Sequence, residues 1–233
     1  WSLKVSLPLR GGGGGGGDAP FVSTPIPGRI VSLSSGGYAY TIPTTDEQAA
    51  RFLQQAQFAA TEADIASVRS LGYAGWLEAQ VAKAYTTGWD WLTGQGYGNV
   101  FSSNNYFDQS YPADYMVWSQ LMDAPDVLRK RVALALSEIF VVSLVGVSAT
   151  WRSYIMAHYW DTLCLHALGN YRDLLQAMTL NVGMGYYLNT KGNLKENSAG
   201  RQPDENYARE VMQLLSIGLV QLNADGTVQL DGS

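Results

Sequence analysis

The sequence predicts an all-α domain, a multi-helix orthogonal bundle with an extended N-terminal arm and a small C-terminal β-hairpin. Three observations lead there. Apolar residues recur at helical spacing through most of the chain from residue 45 onward. Helix-start signals, Thr followed three residues later by Gln or Asp, stand before the first two such stretches. Alternation of period two takes over after Gly218. With 233 residues, 46% of them apolar, the chain is long enough to bury one full core.

Taken in order, the unbroken glycine run Gly11 to Gly17 is a flexible coil, so residues 1–17 are expected to be a signal remnant and tether. Residues 18–44 are rich in Pro, Ser and Gly and predict an extended arm. The helical domain is expected over residues 45–233. Thr45 with Gln48 caps a helix carrying Ala49, Phe52, Leu53 and Ala56, and Thr61 with Asp64 caps one carrying Ile65 and Val68. Gly72 ends the latter, and Trp76, Leu77, Gln80 and Val81 mark a third helix. Residues 86–111 interleave glycine, asparagine and aromatic residues without a period, which predicts a long irregular loop. Within it Trp89, Trp91, Tyr97 and Tyr106 are candidate ligand-binding residues, suited to stacking on a sugar or to packing as a lid over the helices. The helical period returns from Pro112 through Leu121, then over Asp126 to Val142, Trp151 to Leu168 and Tyr171 to Leu180. Pro203 opens the last helix, with Asp204 and Glu205 where the helix dipole favours acids. Leu219 to Leu222, the turn Asn223 to Gly226, and Thr227 to Leu230 predict the hairpin.

Composition narrows the function classes. The net charge is −5, and no basic cluster exceeds Arg129-Lys130-Arg131, so nucleic acid is not an expected partner. Cys164 is alone, which leaves no disulfide framework or thiolate metal site, and it reads as a small buried apolar residue. The apolar run Val132 to Val147 is shorter than a bilayer span and carries Glu138, so it predicts a core helix and no transmembrane segment. His158, Asp161 and His166 share part of a helix face, but they are spread over more than two turns without a tight ligand pattern. Asn223, Asp225 and Thr227 resemble half a calcium loop without its closing Glu. No metal and no cofactor is expected. A nucleophile elbow, a phosphate loop and a dinucleotide fingerprint are all missing from the sequence.

The densest chemistry lies in Arg201 to Leu219. A period of 3.6 puts Tyr207, Ala208, Val211, Leu214 and Leu215 on one face, with Glu205, Asn206, Arg209, Glu210 and Gln213 on the other. Glu205 precedes Arg209 by four residues, the favourable orientation for a helical ion pair. Two readings follow. One is a structural ion network of Arg131, Glu138, Glu205 and Arg209, joining this face to the stripe that Arg131 and Glu138 share. The other is a catalytic group in which Glu205 or Glu210 is acid or base, Arg209 clamps an anion and His166 is a supporting titratable group.

Several segments together carry a family resemblance: Ala49 to Ala56, Leu71-Gly72-Tyr73-Ala74-Gly75-Trp76-Leu77, Leu128 to Ser143, His166 to Leu175, and Gly200 to Gly226. In this order they resemble the bacterial DUF1800 family. The resemblance implies an exported, largely helical protein, of a kind often encoded beside a second exported family that resembles sulfatases and alkaline phosphatases. It implies no activity. It also implies a family domain running beyond the hairpin, so that this chain is similar to its N-terminal half. The glycine run resembles the tether of such proteins, with Arg10 where a lipid anchor would require Cys. The expectation is therefore a periplasmic or extracellular assembly or interaction subunit of the cell envelope. Its expected partners are proteins, either the rest of the domain or a companion exported protein. The alternative is an envelope hydrolase or carbohydrate-active enzyme using Glu205, Arg209 and Glu210.

Overall fold

The computed structural model describes residues 42–229. The tether, nearly all of the expected arm, and the hairpin from residue 230 onward lie outside the described residues.

Helix α1 (Asp46–Ala56) starts where Thr45 Oγ1 accepts the Gln48 amide at 3.3 Å. The Gln48 side chain turns one residue further back, accepting the Thr44 amide at 2.8 Å. At α2 (Glu62–Val81) the reciprocal capping box of Thr61 and Asp64 is complete. Gly72, at φ 72° and ψ 171°, splits α2 into the two helical halves expected from the sequence. Only glycine enters that backbone region readily. Phe52 of α1 packs against Tyr73 and Trp76 of α2, with ring centroids 4.8 and 5.3 Å away, and this forms a small core that Val127 and Leu128 join.

The larger core surrounds α6 (Arg152–His166), which packs against α3 (Gly88–Gly94), α4 (Tyr111–Met122), α5 (Val127–Ser137), α7 (Tyr171–Thr179) and α8 (Val182–Tyr187). Its buried residues Tyr154, Ala157, Tyr159, Trp160, Leu163 and Cys164 point in several directions, as in a helix surrounded by others. The last helix, α9 (Asn206–Gln213), is anchored to α7 by two hydrogen bonds. Tyr207 Oη donates to Thr179 Oγ1 at 2.7 Å, and Tyr171 Oη donates to the Leu215 carbonyl at 2.8 Å.

Several details differ from the sequence expectation, among them helix α8, which the sequence reading did not include. The segment expected to be irregular contains α3, because Thr87 caps it by accepting the Asp90 amide at 3.0 Å. Helix α5 stops at Ser137 with Glu138 as its C-cap, short of Val142, and the β-branched Ile139, Val141 and Val142 follow it. Helix α9 begins at Asn206, after Pro203, because Asp204 Oδ1 takes the Asn206 amide at 2.8 Å. The expected hairpin is reduced to one isolated bridge, Leu222 with Val228, and no strand forms among the described residues. A two-stranded ribbon with no third strand and no buried face is marginal in water, and all its described side chains are exposed.

At the centre lies a buried ion pair that no pattern announced. Lys130 and Asp126 are both 0% exposed, with Nζ 3.4 Å from Oδ2. The ammonium also donates to the Thr86 carbonyl and reaches Cys164 Sγ at 3.6 Å, while Thr86 Oγ1 donates to Asp126 Oδ1 at 3.1 Å. One lysine thereby ties α5 to the strap before α3 and to α6. Asp126 Oδ2 has no hydrogen-bond partner and is balanced by the ammonium and by Arg129 Nε, 4.0 Å away.

Removing one buried partner strands the other charge. Lys130→Met is expected to cost about 3–5 kcal/mol in urea denaturation, and adding Asp126→Leu to it should recover most of the loss. Gly72→Ala should cost about 1–3 kcal/mol in the same assay, from backbone strain.

Candidate functional site

The nominated polar residues divide between distant roles. Glu205 and Arg209 do pair, at 3.4 Å, and Arg209 also donates to Asn206 Oδ1 at 2.8 Å, but both side chains face solvent. Such an exposed pair contributes about 0.3–0.5 kcal/mol at most. Glu210 is half-buried on the same helix, and His166 is half-buried in the last turn of α6. Arg131 turns instead to α1, donating to the Gln55 carbonyl at 3.3 Å with its guanidinium 5.1 Å from the Phe58 ring centre. Glu138 is exposed at the end of α5. Arg131 and Glu138 thus take no part in the Glu205–Arg209 pair.

Asp161 and His158 hydrogen-bond within the fold, and among the described residues no cluster of three or more metal-ligating side chains forms. Asp161 accepts the Gly88 and Trp89 amides at 2.6 and 3.0 Å, so it holds the first turn of α3 against α6. Burial raises its pKa from the ordinary carboxylate value, opposed by those two amides and by Lys130. His158 Nδ1 lies 3.1 Å from Asn181 Nδ2. The Asn181 carbonyl oxygen already accepts the Gly183 and Met184 amides at 2.9 and 3.4 Å, which fixes the orientation of its amide group. Its NH2 must then donate to His158, and the neutral ring carries its proton on Nε2.

Of the nominated aromatics, Trp91, Tyr97 and Tyr106 pack on one another, with centroid distances of 6.0 and 5.1 Å around Tyr97. Trp89 goes elsewhere. It stands edge-on to Tyr154 at 4.7 Å and lines a cavity of about 680 Å³ together with Thr93, Gly98, Trp151, Tyr154, Ile155, His158 and Val182. Trp151 is also edge-on to Tyr154, at 5.8 Å. Its backbone is left-handed, with φ 59°, an uncommon conformation for a bulky residue, and its amide is held by the Phe107 carbonyl at 2.6 Å. Gly98 is open to the same space, since a Cβ there would lie 2.7 Å from Tyr154 Oη.

The cavity escaped the sequence reading because its wall comes from three helices. One signal was present: Trp151, Tyr154, Ile155 and His158 follow the spacing of a single helix face. The mixed character of α6, buried on most sides, hid which face was open.

The model of DUF1800, described as a protein of unknown function, matches residues 51–229. The chain belongs to the DUF1800 family. Comparison with curated proteins and with solved structures returns no match. The DUF1800 match takes in the buried ion pair, the cavity and the Glu205–Arg209 helix alike, so membership does not choose among them. No helix among the described residues is long and apolar enough to cross a membrane.

In this DUF1800 domain the Cys164 side chain is fully buried. Burial pushes its thiol up to about 12, against a partial opposing pull from Lys130, so it stays protonated at neutral pH. A disulfide exchange reagent at pH 8 should label no thiol in the native chain within minutes and one per chain in denaturant. Prompt native labelling would contradict the buried site.

Proposed function

We propose that the chain is an exported, periplasmic or extracellular, helical subunit that assembles with a protein partner through the segment following α9. The observation that carries this reading is the run Leu214, Ile217, Leu219, Val220 and Leu222, exposed by 71, 75, 76, 50 and 58%. Scattered apolar side chains are ordinary on a surface, but five exposed apolar side chains within nine residues suit an interaction surface. Leu215 anchors the base of the run in the core, while Gly218, at φ 78°, turns the chain outward from the helix end. A single bridge leaves the Leu222–Val228 turn free to add to a neighbouring element.

The family resemblance supports export and a companion exported protein as the partner. The catalytic alternative gains less support. Its central pair, Glu205 with Arg209, is open to solvent, whereas acid–base and anion-clamping groups gain their strength where water is excluded.

A photo-crosslinking residue at Ile217, in cells making the native protein, should yield an adduct with a defined envelope polypeptide, and the same residue at Lys195 should not. Changing Leu214, Ile217 and Leu219 to Ser should remove the association and leave thermal stability within a few degrees. A protein that fractionates with the cytoplasm, or gives no adduct at Ile217, would refute the reading.

A further inference from the structure

The geometry points to the cavity between α3, α6 and α8 as a binding site for a neutral saccharide. This stands apart from the docking segment, since its residues belong to other helices. It is an open groove rather than an enclosed pocket, with exposed Trp89, Thr93, His158 and Val182 at its walls, and its volume of about 680 Å³ falls within the roughly 300–1,000 Å³ of small-molecule sites. Its chemistry selects the class of ligand. No Asp, Glu, Lys or Arg lines it, so an anionic or cationic ligand would lose its hydration without gaining a counter-charge.

Its walls are mostly apolar, interrupted by three polar side chains, Thr93, Tyr154 and His158. Trp89 and Trp151 offer indole surface on either side of the Tyr154 contact. Among them stand polar groups with capacity to spare. Thr93 Oγ1 donates to the Trp89 carbonyl at 2.9 Å, which leaves the hydroxyl contact with Tyr154, at 3.4 Å, as a long bond in which Tyr154 is the donor. Tyr154 Oη therefore keeps its acceptor capacity. His158, oriented by Asn181, offers an Nε2–H donor. A purely apolar ligand would bury these groups without partners, at a free-energy cost. A sugar ring covers an indole with its C–H face and meets the donors and acceptors with its hydroxyls.

A second observation singles out the same place. Trp151 holds a left-handed backbone, and such strain persists where the surroundings impose it and collects at ligand clamps. Gly98 keeps the space in front of Tyr154 Oη open, since any Cβ would press on that hydroxyl.

The test uses cellotriose, maltotriose and chitotriose as neutral probes, with trigalacturonate as the charged and indole as the apolar comparison. Binding is read by tryptophan fluorescence and saturation-transfer NMR. At least one neutral trisaccharide should bind, at least about tenfold tighter than trigalacturonate or indole. Trp89→Ala should weaken it at least about tenfold, and Gly98→Val should abolish it. Trp118→Ala, at an exposed tryptophan on α4 outside the cavity, should change nothing. Should Trp89→Ala melt early, His158→Ala at an exposed ring should still weaken binding about three- to tenfold. The inference is overturned if no neutral trisaccharide binds, if indole or trigalacturonate binds as well, or if binding survives the Trp89 and Gly98 changes. Loss of the crosslink at Ile217 would leave it standing.

Discussion

The buried pair of Lys130 and Asp126 is the constraint around which the larger core is arranged. Two charges at 0% exposure are tolerable only when each finds partners at close range. The partners available come from separate parts of the chain: the Thr86 carbonyl and hydroxyl before α3, and Cys164 in the last turn of α6. Satisfying one ammonium thus fixes α5, α6 and the strap leading to α3 relative to one another. Asp161 repeats the device one turn earlier on α6, receiving the first two amides of α3. The two contacts hold the short helix α3 at both its approach and its start, and α3 carries the Trp89 and Thr93 wall of the cavity.

What could be read from the sequence was local. The capping residues Thr45 and Thr61 stand at real helix starts, and Gly72 breaks α2 because a φ of 72° with ψ near 171° is a glycine conformation. Cys164 is buried, as an isolated cysteine between leucines suggested. Lys130 was invisible for the opposite reason. Between Arg129 and Arg131 it looks like one member of a solvated cation cluster, and only the tertiary arrangement desolvates it. Asp161 looked like a neighbour of two histidines, but its partners are amides 72 and 73 residues away in the chain. Helix α3 was missed because its stability comes from those contacts and from the Thr87 cap, with too few residues for a period to emerge.

The apolar face of α9 shows where periodicity overreaches. Tyr207 and Leu215 are buried and Val211 is half-buried, yet Leu214 and Ala208, assigned to the same face, are exposed. A stripe wide enough to cover a full helix face finds a core on only part of its width. The remainder continues past Gly218 into exposed Leu219, Val220 and Leu222, so the described residues cover only part of the apolar stripe.

The polar face of α9 can be weighed in the same way. Charged groups act strongly on a substrate when they are preorganised and shielded from water, and Arg209 is held by Glu205 and Asn206 in the open. Its pairing therefore orders the outside of a short helix and contributes little energy. The groove on α6 is also open to solvent, and it differs in the charge and the positioning of its groups. Its few polar groups are neutral, but Asn181 and the left-handed turn at Trp151 position them, and the ion pair and Asp161 hold its walls. Preorganised weak groups in a shaped cavity discriminate between ligands better than strong groups free in solvent, because the latter give up little hydration and impose little geometry. On that ground the proposed saccharide site lies at the junction of α3, α6 and α8, while the charged face of α9 lies on the outer surface.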